Sequence, residues 1–97
     1  MMKHAGPDTL ARLAPLLDAL RQIRGLVERT PGSFYRGSKA YLHFHEDPAG
    51  PYADVKLHGA EFTRLRVATE RERTQLVASV KRQVERGPAT ESPARRS

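Results

Sequence analysis

Two histidines stand two residues apart in the run Leu42-His43-Phe44-His45. In an extended chain, side chains at i and i+2 leave the backbone on the same side. Both imidazoles could therefore reach one metal ion, zinc or another divalent cation. Asp54 follows a short loop later and offers a carboxylate, either as a third ligand or as the acceptor that orients a ring. Metal ligation thus points to His43, His45 and Asp54. The same residues allow acid–base chemistry by a His–Asp pair beside Tyr41 and Lys56. The plainest alternative is a solvated strand face on which one histidine pairs with Asp54.

A hairpin must bring these positions together. Leu42 and Phe44 alternate with Tyr41, His43 and His45, and Val55 and Leu57 alternate with Asp54, Lys56 and His58. Period-two alternation marks strands with one buried face. Between them, Glu46-Asp47-Pro48-Ala49-Gly50-Pro51 holds two prolines, which cannot donate to a ladder, and a glycine free to take positive φ. Pairing is expected to stop there. Leu42 and Phe44 must share a face with Val55 and Leu57, since a one-residue slip would turn one set out to water. Two registers satisfy this. One sets His43 opposite Asp54; the other sets His45 opposite Asp54 and His43 opposite Lys56. In either, Tyr41, His43, His45, Asp54, Lys56 and His58 are expected on the second face, the candidate ligand-binding surface.

The remaining chain reads as cover for this hairpin. Residues 1–7 are expected to be a flexible N-terminus. Asp8 and Thr9 are N-cap types. Leu10, Leu13, Leu17, Leu20 and Ile23 then recur at helical spacing. Pro15 interrupts them, so the helix either kinks or restarts with Pro15 in its first turn. Gly25 is placed to stop it. Leu26–Arg29 and Phe34–Arg36 read as short strands around a Pro31-Gly32 turn of type II. Phe62–Val67 alternates again, with Leu65 and Val67 inward and Arg64 and Arg66 outward. Thr69-x-x-Glu72 is a capping box ahead of the stripe Leu76, Val77, Val80 and Val84, and Gly87-Pro88 ends it. The expected architecture is a two-layer α+β domain over residues 8–86. Its antiparallel meander of four or five strands has an N-terminal and a C-terminal helix packed on one face. Residues 87–97, rich in Pro, Ser and Ala, are expected to form a disordered tail.

Composition narrows the function. The 97-residue chain has no cysteine, which excludes disulfides, thiolate metal sites and cysteine catalysis and suits a cytoplasmic protein. No apolar run approaches the ~20 residues of a membrane span. Neither a phosphate-cradling glycine loop nor a nucleophile elbow occurs. The net charge is +6, and 13 of the 17 basic residues are arginine, which permits loose attraction to polyanions. Arg64, Arg66, Arg71 and Arg73 are the nucleic-acid candidates. Glu61, Glu70 and Glu72 lie among them and no aromatic stacking platform accompanies them, which favours a solvated face of Glu–Arg pairs.

The run FYRGSKAYLHFHEDPAGPYADVKL, residues 34–57, resembles a recurring pattern in short uncharacterised bacterial proteins, actinobacterial ones especially. There an aromatic-basic strand precedes an L-H-F-H-E-D hairpin and an A-D-V-[KR]-L return strand. More distantly, the H-x-H strand with a D-V return strand is similar to the small "luciferase-like" domain of unknown function, whose name implies no activity for this chain. The resemblance implies a small α+β fold and matches at His43, His45, Asp54, Leu42, Phe44, Val55 and Leu57. The expected function is therefore binding through the polar sheet face, with a ligand, a protein partner or a second copy of the chain. No resident cofactor is expected beyond a divalent metal. A metal-dependent or acid–base enzyme on the same face is the alternative, followed by weak nucleic-acid binding.

Overall fold

A computed structural model describes residues 3–86. The tail expected at 87–97 lies outside the described residues. The elements run β1 (Lys3–His4), α1 (Pro7–Arg12), α2 (Ala14–Arg21), β2 (Val27–Thr30), β3 (Ser33–Arg36), β4 (Lys39–Asp47), β5 (Gly50–Val55), β6 (Thr63–Arg66) and α3 (Glu70–Arg86). Strands β2 to β6 form an antiparallel meander in chain order, and β1 adds to β4. The fold is α+β, as expected, with a sheet of six strands. Among the described residues, no helix is long and apolar enough to cross a membrane.

Proline decides the helical start. Pro15 sits in the first turn of α2, so the N-terminal helix is two short helices and not one kinked rod. The missing N–H of Pro15 costs nothing there, because first-turn donors have no intrahelical acceptor. Gly6, not Asp8 or Thr9, is the N-cap of α1, and Thr9 is buried. At the other end, the capping box forms. Glu72 N–H donates to Thr69 Oγ1 at 3.1 Å, and Thr69 N–H donates to Glu72 Oε1 at 3.0 Å.

One core cluster joins the layers. Leu13, Leu17 and Leu20 from α1–α2 and Leu76, Val80 and Val84 from α3 are buried with Phe34, Leu42, Phe44, Ala53, Val55 and Val67 of the sheet side. Arg73 ties α3 to the end of β6 by donating to the carbonyls of Val67 (2.8 Å) and Ala68 (3.2 Å). Gly32 closes the β2–β3 turn at φ +80°, and a Cβ there would lie 2.9 Å from Leu10 Cδ2. A type II turn needs positive φ at that position.

Two strand features differ from simple alternation. The β4–β5 ladder runs past the expected loop, pairing Glu46 with Pro51 and Asp47 with Gly50, so only Pro48 and Ala49 turn the chain. Asp47 Oδ1 accepts from Ala49 N–H at 2.8 Å and holds that turn. Between β3 and β4, Phe34 pairs with Leu42 but Tyr35 pairs with Ala40, which leaves Tyr41 as an extra residue. A bulge of this kind breaks the alternation of faces. Tyr41 and Leu42 are consequently both buried, at 3% and 1% exposure.

Candidate metal centre

The register sets His43 opposite Asp54 and His45 opposite Tyr52, the first of the two expected pairings. Asp54 in turn stands opposite Arg64 of β6. His43, His45, Asp54 and Arg64 therefore meet on the sheet face away from the main core. This face is not open. Asp54 is only 6% exposed. The side chains of His45 and His43 are 14% and 23% exposed.

A carboxylate buried to this degree needs compensation. Arg64 supplies it through a two-pronged pair: Nε donates to Asp54 Oδ1 at 2.8 Å and a terminal nitrogen donates to Oδ2 at 2.9 Å. The guanidinium holds the Asp54 carboxyl below its usual range, against the opposing effect of burial. Asp54 is thus an anion at neutral pH.

The histidines converge on the same carboxylate oxygen. His45 Nε2 lies 3.1 Å from Asp54 Oδ2, and His43 Nε2 lies 3.6 Å from it. Neither contact is a well-formed hydrogen bond. His45 Nε2 is buried and has no hydrogen-bond partner despite its 3.1 Å approach, because its direction misses the carboxylate oxygen. Burial first, then the neighbouring His45, push the His43 imidazole below its usual range, with Asp54 pulling the other way. At 3.6 Å the His43 contact is too long for a hydrogen bond. Three donor atoms, one from each of His43, His45 and Asp54, all lie within 4.8 Å of one another. Ligand atoms around one tetrahedral ion stand about 3.3 Å apart, so the two His–Asp separations already bracket the required spacing.

A fourth group was not legible as part of this site. β1 pairs His4 directly with His45. The ring centroids of His4 lie 4.9 Å from His45 and 5.9 Å from His43, and those of His43 and His45 are 4.7 Å apart. His4 and His45 are stacked, with 27° between their ring planes, so His4 walls the group of His43, His45 and Asp54 without joining its converging donor atoms. The N-terminal strand is held in place from β4: Ala5 N–H donates to Phe44 O at 3.1 Å, and Gly6 N–H donates to Glu46 Oε1 at 3.2 Å. Lys3 adds a 3.7 Å ion pair to Glu46. Glu46 is therefore spent on residues expected to be flexible. Phe62 is the second unanticipated neighbour, its ring set edge-on to His43 at 4.8 Å.

Other expected site residues are elsewhere. Tyr41 does not join the histidines; the bulge turns it to the α3 side, where its hydroxyl donates to Gln83 Oε1 at 2.7 Å. Lys56 lies beyond the end of β5 with its ammonium 5.0 Å over the Phe62 ring. His58 is exposed in the segment after it. Of the nucleic-acid candidates, Arg64 is committed to Asp54 and Arg73 to backbone carbonyls, while Arg66 approaches Glu72 at 3.4 Å. Arg71 is exposed on α3. The sequence did hold a signal for Arg64: registering Phe62–Val67 against Asp54-Val55 would have set it across from the carboxylate. His4 carried none, since two residues of strand have no periodicity to read.

No family model, curated protein or solved structure matches this chain.

Proposed function

We propose that this protein binds a divalent metal ion of the zinc type through His43 Nε2, His45 Nε2 and Asp54 Oδ2. One observation carries the reading: a buried imidazole nitrogen with no hydrogen bond, lying within 4.8 Å of two other donor atoms. An unpaired polar atom in a buried site costs on the order of 1–3 kcal/mol, and a bound cation would remove that cost. His43 enters the site neutral, the form that ligates. His4 stacks on the His45 ring and walls the site, while the converging donor atoms are those of His43, His45 and Asp54. Arg64 would keep Asp54 Oδ1 and release Oδ2, so it orients the carboxylate from outside the coordination shell. A cytoplasmic setting is expected from the lack of cysteine.

The test is the histidine ring NMR spectrum of tag-free protein during zinc addition, with His45→Ala as control. The expected result is a joint shift of the His43 and His45 ring signals at micromolar zinc, and no such response in the variant. Independent or absent ring responses, with the amide spectrum still folded, would refute metal binding. A dimer that buries Phe62, found by light scattering in the same samples, would then make this face a contact between copies.

A further inference from the structure

A cavity of about 810 Å³ opens at the far end of the sheet from His45, between the β3–β4 turn, the segment after β5 and the last turns of α3. Its size falls within the ~300–1,000 Å³ of small-molecule sites. Its lining divides by chemistry. Arg36 and Lys39, on either side of the Gly37-Ser38 turn, bring two cations; Lys56 also lines it but turns its ammonium to the Phe62 ring, and no acidic side chain is in the lining. Among the described residues neither Arg36 nor Lys39 lies in an ion pair.

The rest of the lining is uncharged and fixed. Tyr41 forms part of it, with the Arg36 guanidinium 5.4 Å over its ring. The Tyr41 hydroxyl is occupied by Gln83, whose amide donates to Leu57 O at 2.9 Å. Gly37 and Gly59 also line the cavity, and a Cβ at either would meet nothing within 4 Å, so there is room at the backbone. One opposing field exists: Gln83 and Val84 belong to the end of α3, where the helix dipole is negative. That dipole is worth roughly half a charge, against the two full cations of Arg36 and Lys39, so the net field in the cavity is positive.

We infer that this cavity is a binding site for a small organic anion, a phosphate or carboxylate carrying a compact apolar body. The cations take the anionic group. Ala40, Ala60 and the glycine backbone take the body. Filling the site relieves the mutual repulsion of Arg36 and Lys39, which lack a counter-charge, so occupancy also stabilises the fold.

Phenyl phosphate is a suitable probe, with phenol and inorganic phosphate as its two halves. Titration is followed on the amide signals of Gly25, Gly37 and Gly59 in the full chain. Phenyl phosphate is expected to shift these three before signals elsewhere, more tightly than either half, and to weaken as salt is raised. Lys39→Glu reverses one exposed charge and touches no core residue; it is expected to weaken phenyl phosphate about tenfold. Three results would overturn the inference: equal affinity for phenol, which removes the role of charge; equal affinity for inorganic phosphate, which removes the role of the cavity; or unchanged affinity in Lys39→Glu with the amide spectrum still native.

Discussion

Replacing Tyr41 by phenylalanine removes one oxygen and tests the bulge in β4. The Tyr41 hydroxyl donates to Gln83 at 2.7 Å from a residue that is 3% exposed. A hydrogen bond of this kind nets about 0.5–1.5 kcal/mol. Two effects keep it from the upper end. Phenylalanine no longer brings a hydroxyl out of water, and Gln83 lines the cavity, where its freed oxygen can be hydrated. A loss near 1 kcal/mol is expected, which is about 4–8 °C in Tm for a domain of this size. Urea unfolding followed by circular dichroism reads it as a shifted midpoint with unchanged slope.

The same variant has an alkaline signature. Burial pushes the Tyr41 phenol above its ordinary value of 10.0, with Arg36 opposing. A group whose folded pKa is raised stabilises fully below its unfolded pKa and loses that contribution as pH rises through the folded value. Native stability therefore falls as pH climbs above about 10, and Tyr41→Phe falls less steeply over the same window. Had Tyr41 stood in water beside the histidines, as strict alternation expects, both effects would vanish into the ~0.5 kcal/mol scatter of surface substitutions. An unchanged midpoint together with an unchanged alkaline slope would refute its placement against α3.

Two other perturbations follow from single positions. Gly32→Ala forces φ +80° on a residue with a side chain and crowds Leu10 at 2.9 Å. The backbone term alone costs about 1–2 kcal/mol, read from the urea midpoint; a loss below roughly 0.5 kcal/mol would show that the turn does not hold positive φ. Arg64→Ala frees both oxygens of Asp54 and lets the carboxyl become more basic. Zinc affinity by calorimetry is nevertheless expected to fall about tenfold, because the carboxylate is no longer aimed, while the metal-free protein becomes less stable; unchanged or tighter zinc binding would mean that Arg64 does not orient Asp54.

Legibility followed the length of the pattern. The α3 stripe and its capping box were readable because Thr69, Glu72, Leu76, Val80 and Val84 repeat one rule over many residues. Pro15 left two outcomes, and the restart won because a first-turn proline loses no hydrogen bond. The pairing of His43 with Asp54 was one of two registers; only the two-residue Pro48-Ala49 turn separates them, and the sequence there looked like a longer loop. Tyr41 was misplaced because a bulge inserts one residue without changing the alternation of letters. Glu46 and His4 were misread for a different reason. Their partnership spans some forty positions, and it depends on where β3 ends, which no local pattern states.

The end of β3 has a consequence for handling the molecule. β4 is nine residues long, and β3 covers one of its flanks only as far as Leu42. Lys3 and His4 cover Glu46 and His45 on that same flank. Without them, a stretch of unpaired backbone donors and acceptors would lie beside three titratable side chains, ready to template a neighbouring molecule. An affinity tag fused just ahead of Lys3 would sit against both the self-association hazard and the candidate ligands. A polyhistidine tag there would supply imidazoles of its own to any ion that His43 and His45 attract.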